Sequence, residues 1–124
     1  MTGRVVHFEL PYDDADRANR FYKEAFNWSF QPIPEMDYTL VATTESGESG
    51  PITPGAINGG LLARSDLFQG PLITVEVDDI EASLLTIERL GGQRVVGSQP
   101  VGDMGFSGYC RDTEGNLIGL WQSA

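Results

Sequence analysis

The chain has 124 residues, 40% of them hydrophobic, and its 18 acidic and 8 basic side chains give a net charge of −10. That charge argues against nucleic acid and anionic membranes as partners, because both are bound mainly through Lys and Arg. No apolar run reaches the roughly 18 residues of a membrane-spanning helix, and Cys110 is the single cysteine. We therefore expect one soluble, cytoplasmic domain over residues 1–124, without an intramolecular disulfide.

The first half of the chain is predicted to be a strand, a helix and three further strands. Alternation indicates a strand over residues 4–10, and Asp13 or Asp14 can cap a helix over residues 15–26. We expect the helix to bury an apolar stripe made of Ala18, Phe21, Tyr22, Ala25 and Phe26. The later strands are predicted over residues 28–32, 38–44 and 56–64, with a Gly-, Ser- and Pro-rich loop at residues 45–55.

The second half repeats this order. A strand is predicted over residues 72–77, Asp79 can cap the next helix, and Gly91-Gly92 can end it. The predicted apolar face of this helix consists of Ile80, Leu84, Ile87 and Leu90. Further strands are predicted over residues 93–97, 106–111 and 117–122, with a hairpin turn at residues 112–116. The chain therefore divides into two predicted βαβββ modules, at about residues 3–65 and 70–123.

Several motifs occur in a characteristic order, at residues 7–14, 20–28, 75–79 and 111–121. In these stretches the chain resembles the vicinal oxygen chelate superfamily, which includes glyoxalase I, extradiol dioxygenases, fosfomycin-resistance enzymes and bleomycin-binding proteins. The resemblance implies an α+β fold in which two βαβββ modules form a curved mixed sheet or half-open barrel around a cleft. Such a concave face is suited to binding a small molecule.

The resemblance also implies where a metal would be held, because metal-using members carry ligands on the first and last strands of each module. The corresponding positions here carry His7, Gly60, Leu72 and Gly119. Only the histidine is a ligand-type residue, whereas a catalytic divalent metal usually takes about three protein ligands. We therefore expect no cofactor. A divalent metal held through His7 stays as the alternative if a shifted register recruits Glu9, Glu76 or Asn58.

Loss of the ligand positions favours a cleft that binds by shape. The candidate ligand-binding residues are His7, Trp28, Gly60, Leu72, Phe106, Gly119 and Trp121. The glycines could leave apolar room for a ligand or permit close approach of strands, and the aromatic rings could stack on a planar ligand. The histidine is the one candidate catalytic residue, as a base or hydrogen-bonding group, or else a wall residue without chemistry.

Other reactive or charged residues have a structural interpretation beside the functional one. Cys110 could be a nucleophile, but its strand context favours a small buried hydrophobe. Anionic ligands could be reached by Arg64, Arg94 and Arg111. The loop at residues 45–55 could close over the cleft or simply lie in solvent.

Three functions remain open from the sequence. The first is a binder of an apolar or aromatic small molecule, of the glyoxalase/bleomycin-resistance type and without a metal. The second is a metal-dependent lyase, transferase or dioxygenase. The third is a dimeric interaction or regulatory domain. For each, the resemblance implies that the partner chain is a second copy, in a homodimer.

Overall fold

The computed structural model describes residues 2–124. The elements are β1 (Val5–Tyr12), α1 (Ala15–Phe26), β2 (Ser29–Ile33), β3 (Tyr38–Ala42), β4 (Ser46–Gly47), β5 (Gly50–Pro51), β6 (Asn58–Ala63), β7 (Leu72–Glu76), α2 (Ile80–Arg89), β8 (Gln93–Val101), β9 (Gly105–Arg111) and β10 (Leu117–Ser123). A single 3-10 turn, Pro34–Met36, precedes β3. The predicted βαβββ order is confirmed in both halves, and the short β4–β5 ladder lies within the predicted loop. Across residues 2–124, no helix has the length and apolar character needed to cross a membrane.

Both helices begin at the aspartates that the sequence indicates. Asp14 accepts a hydrogen bond from Arg17 N, and Asp79 accepts one from Ala82 N, each at 3.0 Å. These bonds satisfy backbone donors that have no partner within the helix. The first helix ends at Asn27, whose left-handed backbone (φ 59°) directs its N–H to the carbonyl oxygen of Lys23. The predicted bounds of α1 are therefore confirmed at both ends.

Residues His7–Pro71 form the first of two structural units. Its sheet has the strand order β2-β3-β6-β1, with β1 parallel to β6 and the other pairs antiparallel. Side chains alternate between the two faces of a strand. One face, which we name the His7 face, carries His7, Glu9, Tyr38, Leu40, Asn58 and Gly60. The opposite face carries Phe8, whose ring contacts Trp28 at a centroid distance of 5.8 Å.

Helix α1 lies on the Phe8 side of this sheet but leaves much of its apolar surface in solvent. The rings of Tyr22 and Phe26 contact Trp28 at centroid distances of 5.1 and 5.5 Å. None of the helix residues is buried, and the side chains of Phe21 and Phe26 are 58% and 57% exposed. The prediction of a buried stripe on α1 is therefore wrong, because a few ring contacts replace packing of the whole helix face.

The second unit consists of residues 2–6 together with Leu72–Ala124. Its strands have the order β7-β10-β9-β8, with β7 parallel to β10 and the other pairs antiparallel. Residues 2–6 join it because Glu76 N donates to the carbonyl oxygen of Arg4 at 2.8 Å. A salt bridge between the two side chains, at 3.0 Å, adds to this contact.

Helix α2 packs closely on the second sheet, unlike α1 on the first. Its Ile80 and Leu84 are fully buried and form the core with Cys110 and Leu120. Val75, Val77, Ile87, Phe106 and Ile118 pack around this cluster. The prediction that Leu90 belongs to the buried face is wrong, because Leu90 is the C-terminal cap residue and is 70% exposed.

Substitution of two adjacent leucines of α2 tests the packing of this helix on the second sheet. Leu84→Ala should lower the free energy of unfolding by about 2–5 kcal/mol, because it removes a fully buried side chain and leaves a cavity. The matched control, Leu85→Ala, truncates a side chain that is 63% exposed and should cost about 0.5 kcal/mol or less. Urea unfolding followed by circular dichroism measures both. Equal losses for the two variants would contradict the placement of α2.

Candidate ligand-binding site

The imidazole of His7 is held by a tyrosine from a strand that is not its neighbour. Its Nε2 lies 2.7 Å from the hydroxyl oxygen of Tyr38, and the two rings are nearly parallel, at 18°. His7 is on β1 and Tyr38 is the first residue of β3, while β6 lies between these two strands. The tyrosine side chain therefore crosses the intervening strand to make this hydrogen bond.

Gly60 is the position that lets the tyrosine cross. It pairs with Leu40 on one side and Glu9 on the other, so it lies on the His7 face between the two bonded residues. A Cβ built on Gly60 would overlap the hydroxyl and the ring of Tyr38. The buried glycine is therefore required by the close approach of this side chain to the strand backbone.

Burial sets the protonation state of the histidine. Because the ring is largely removed from water, burial lowers the pKa of His7 from its ordinary 6.5 to about 4. The imidazole is therefore neutral at physiological pH, with one nitrogen a donor and the other an acceptor. A neutral ring can hydrogen-bond to Tyr38 whichever nitrogen carries the proton.

Two further polar residues, Glu9 and Asn58, lie on the His7 face. Glu9 is only 4% exposed and lies two residues beyond His7 on β1. Asn58 Oδ1 accepts from Thr43 N at 2.9 Å, and Asn58 Nδ2 donates to Ser46 Oγ at 2.8 Å. The asparagine amide therefore anchors the segment that leads into the β4–β5 ladder.

The second unit has its own glycine under a neighbouring side chain. Gly119 pairs with Thr74, and a Cβ built on Gly119 would lie 2.6 Å from the Thr74 hydroxyl oxygen. Trp121 lies two residues after Gly119 on the same face of β10, and Leu72 is buried on β7. At Gly60 and Gly119 the space that a Cβ would need is taken by Tyr38 and Thr74, which agrees with the alternative of close approach rather than with apolar room.

Two predicted ligand-binding aromatics lie on the opposite sheet faces, against the helices. Trp28 is enclosed by the rings of Phe8, Tyr22 and Phe26. Phe106 packs against the core under α2. The structure therefore does not bring Trp28 to the His7 face, nor Phe106 to the face of Gly119 and Trp121, and it gives both rings a packing role.

The remaining candidates also have structural partners. Cys110 is 4% exposed, and burial, followed by the nearby Asp112, raises the pKa of its thiol, as expected for an inert buried cysteine. Arg64 donates to Asp13 and to the carbonyl oxygen of Gln69, and Arg111 donates to that of Gly115. Arg94 forms a salt bridge with Glu81 at 3.0 Å.

The donor set does not fit a divalent metal. Within residues 2–124, no group of three or more His, Cys, Asp or Glu side chains is placed to hold one. The two glycine positions are covered, Leu72 has no donor atom, and Nε2 of His7 is engaged by Tyr38. The sequence did not single out Tyr38, although a β3–β6 register that pairs Leu40 with Gly60 would have brought it close.

Comparison with known sequences gives one family model and several distant relatives. The model described as bleomycin resistance protein-like N-terminal matches residues 4–44. The proposed glyoxylase CFP32 of Mycobacterium bovis is 28% identical over 123 residues, which cover 93% of this chain and 44% of the relative. The chain thus spans less than half the length of that relative. A glyoxylase-like domain-containing protein of Didymella fabae is 25% identical, covering 94% of this chain and 91% of its own.

Solved structures agree on the fold. Methylmalonyl-CoA epimerase from Mycobacterium tuberculosis gives a TM-score of 0.66 at 18% identity, covering 97% of this chain and 87% of that chain. A glyoxalase/bleomycin resistance protein/dioxygenase superfamily member from Vibrio splendidus 12B01 gives 0.64 at 16% identity, covering 98% and 100%. At these identities the similarity establishes the fold alone.

The lowered pKa of His7 predicts a pH dependence of stability. Between pH 6.5 and about 4 the unfolded chain binds a proton at this residue and the folded chain does not. The free energy of unfolding should therefore fall as the pH is lowered through this range, by at most about 3 kcal/mol from His7. Urea unfolding of wild type and His7→Gln at several pH values isolates this contribution as the difference between their slopes. Parallel pH profiles would contradict the burial of the imidazole.

Proposed function

Because the chain belongs to the glyoxalase/bleomycin-resistance/dioxygenase superfamily, also called the vicinal oxygen chelate superfamily, we propose that it binds a small molecule without a metal. The observation that carries this proposal is the contact between His7 and Tyr38 across Gly60. It engages a nitrogen that could otherwise coordinate a cation, and it fills the adjacent strand position. The superfamily fold then offers its sheet faces for binding by shape and hydrogen bonds.

The ligand class follows from the chemistry of the His7 face. The imidazole is neutral, and its ring and that of Tyr38 are nearly parallel, so they offer a flat aromatic surface. Leu40 adds an apolar neighbour on the same face. We place an apolar or aromatic ligand here, stacked on the rings. In the second unit, Trp121 is the ring we assign to ligand contact, beside Gly119 and Leu72.

The competing proposal is a metal-dependent lyase, transferase or dioxygenase. The glyoxylase names of the mycobacterial and fungal relatives favour it. Its chemistry requires a Lewis acid with about three protein ligands and an open position. His7 would be its catalytic or metal-binding residue, and the hydrogen bond to Tyr38 argues against that role.

Ligand-induced stabilisation in the presence and absence of a chelator separates the two proposals. In a screen of aromatic and amphipathic compounds, those that bind should raise the melting temperature of the wild-type protein equally with and without EDTA. A compound at 100 times its Kd adds about 2.7 kcal/mol to the free energy of unfolding. Tyr38→Ala should lose the shift, whereas the control Tyr22→Phe, on the other side of the sheet, should keep it. Shifts that disappear with EDTA would favour the metal-dependent enzyme, whereas the absence of any shift would contradict ligand binding and favour a dimeric interaction or regulatory domain.

A second copy of the chain is the protein partner that we propose, through the aromatic face of α1. Phe21 and Phe26 are both more than half exposed and in ring contact with each other. This helix carries three basic and two acidic residues, a charge of +1, in a chain whose total is −10. Two copies can therefore bring their α1 faces together with less charge repulsion than their other, acidic surfaces would meet.

Substitution of the exposed rings tests this dimer. Wild type should sediment at twice the mass of one chain, and Phe21→Ser with Phe26→Ser should sediment as a monomer with native circular dichroism. The control is Leu85→Ser, which changes a residue 63% exposed on α2 and should leave the dimer intact. Sedimentation of wild type as a monomer at about 100 µM, well above a micromolar Kd, would contradict the proposal.

A further inference from the structure

We infer that Tyr38 closes the coordination position on His7 to metal ions, because its hydroxyl lies where a divalent cation would bind the imidazole. This inference rests on the proposed metal-free function and assigns it to one side chain. It also predicts which ligands the His7 face rejects. Vicinal oxygens that bind by chelation would have no cation there, while neutral planar molecules could stack and hydrogen-bond.

An imidazole nitrogen binds a metal ion in only one direction. A histidine nitrogen coordinates zinc through one in-plane lone pair, at a Zn–N distance of about 2.0–2.1 Å. The Tyr38 hydroxyl oxygen lies 2.7 Å from Nε2 of His7, which is a normal hydrogen bond. A cation and this oxygen cannot both occupy that direction. Metal binding at Nε2 therefore requires Tyr38 to move.

The position of the Tyr38 side chain depends on the absence of a side chain at Gly60. The tyrosine reaches β1 only by lying over the backbone of β6 at Gly60, where any Cβ would overlap it. A carboxylate ligand at position 60 is therefore incompatible with the tyrosine in this position. A carboxylate ligand at position 60 beside His7 therefore requires both removal of the ring and introduction of the donor, whereas removal of the ring alone frees Nε2 of His7.

His7 and Glu9 lie on the same face of β1, two residues apart, and Glu9 is buried. They are fewer than the roughly three protein ligands that a catalytic divalent metal usually takes. Any cation held at this face would therefore depend on Nε2 of His7, which is the atom that Tyr38 engages.

A double-mutant cycle tests the mutual dependence. Gly60→Ala alone should lower the folding equilibrium constant roughly 5- to 150-fold, as overpacking does. In the Tyr38→Ala background the same substitution should change it by less than about threefold, because the overlapping ring is gone. Equal effects in both backgrounds would overturn the inference. Gly59→Ala serves as a control, since its Cβ would meet Phe8 on the opposite face and its cost should not depend on Tyr38.

Zinc titration by calorimetry tests the exclusion itself. Each protein is compared with its own His7→Ala counterpart, so that zinc held by the many surface carboxylates cancels. Wild type should show no His7-dependent binding, whereas Tyr38→Ala should bind zinc at least tenfold more tightly than its own His7→Ala counterpart. Unchanged affinity in Tyr38→Ala would overturn this inference while leaving metal-free ligand binding intact. Tight His7-dependent binding by wild type would overturn the proposed function as well.

Discussion

The first unit is organised around a tyrosine that crosses one strand to reach a histidine on the next. The bond between Tyr38 and His7 requires a residue without a side chain on β6, and Gly60 meets that requirement. It also requires the register that places Leu40 beside Gly60. The occupied coordination position on His7 follows from this contact, whereas the neutral state of the imidazole follows from its burial.

The two halves of the chain use their matching glycines in a related way. Gly119 is covered by the hydroxyl of Thr74, a short side chain on the parallel neighbouring strand β7. Gly60 is covered by Tyr38, a long side chain from the antiparallel neighbouring strand β3. In both cases the space that a larger residue would need is filled by the chain itself. The two halves therefore share the order of their strands and a capped helix, but they differ in the side chain that lies over the glycine.

Features of the fold that depend on local interactions, such as the capping of helices by carboxylates, could be predicted from the sequence. Asp14 and Asp79 act locally on the next helical turn, so both helix starts were predictable, as was the order of strands. Strand β8 was predicted to end near residue 97 but reaches Val101, because pairing with β9 through irregular register extends it past a weak pattern. Phe21 and Phe26 lie at helical spacing, yet spacing does not reveal how closely a sheet approaches the helix.

The candidate site was predictable only in part, for the same reason. The resemblance could mark His7, Gly60 and Gly119 as positions where metal-using members of the superfamily carry ligands. Tyr38, which hydrogen-bonds to His7, lies on a strand whose register depends on long-range pairing. Trp28 and Phe106 were assigned to the ligand because an aromatic ring suits a pocket and a core equally well.

The enclosure of His7 beside Tyr38 is directly measurable, because His7 is the single histidine of the chain. A pH titration of the imidazole resonances by NMR reports the pKa of this residue alone. We predict a midpoint at about 4, because burial of the ring lowers its pKa. A midpoint near the ordinary 6.5 would mean that the ring is open to water, and it would contradict the closed coordination position.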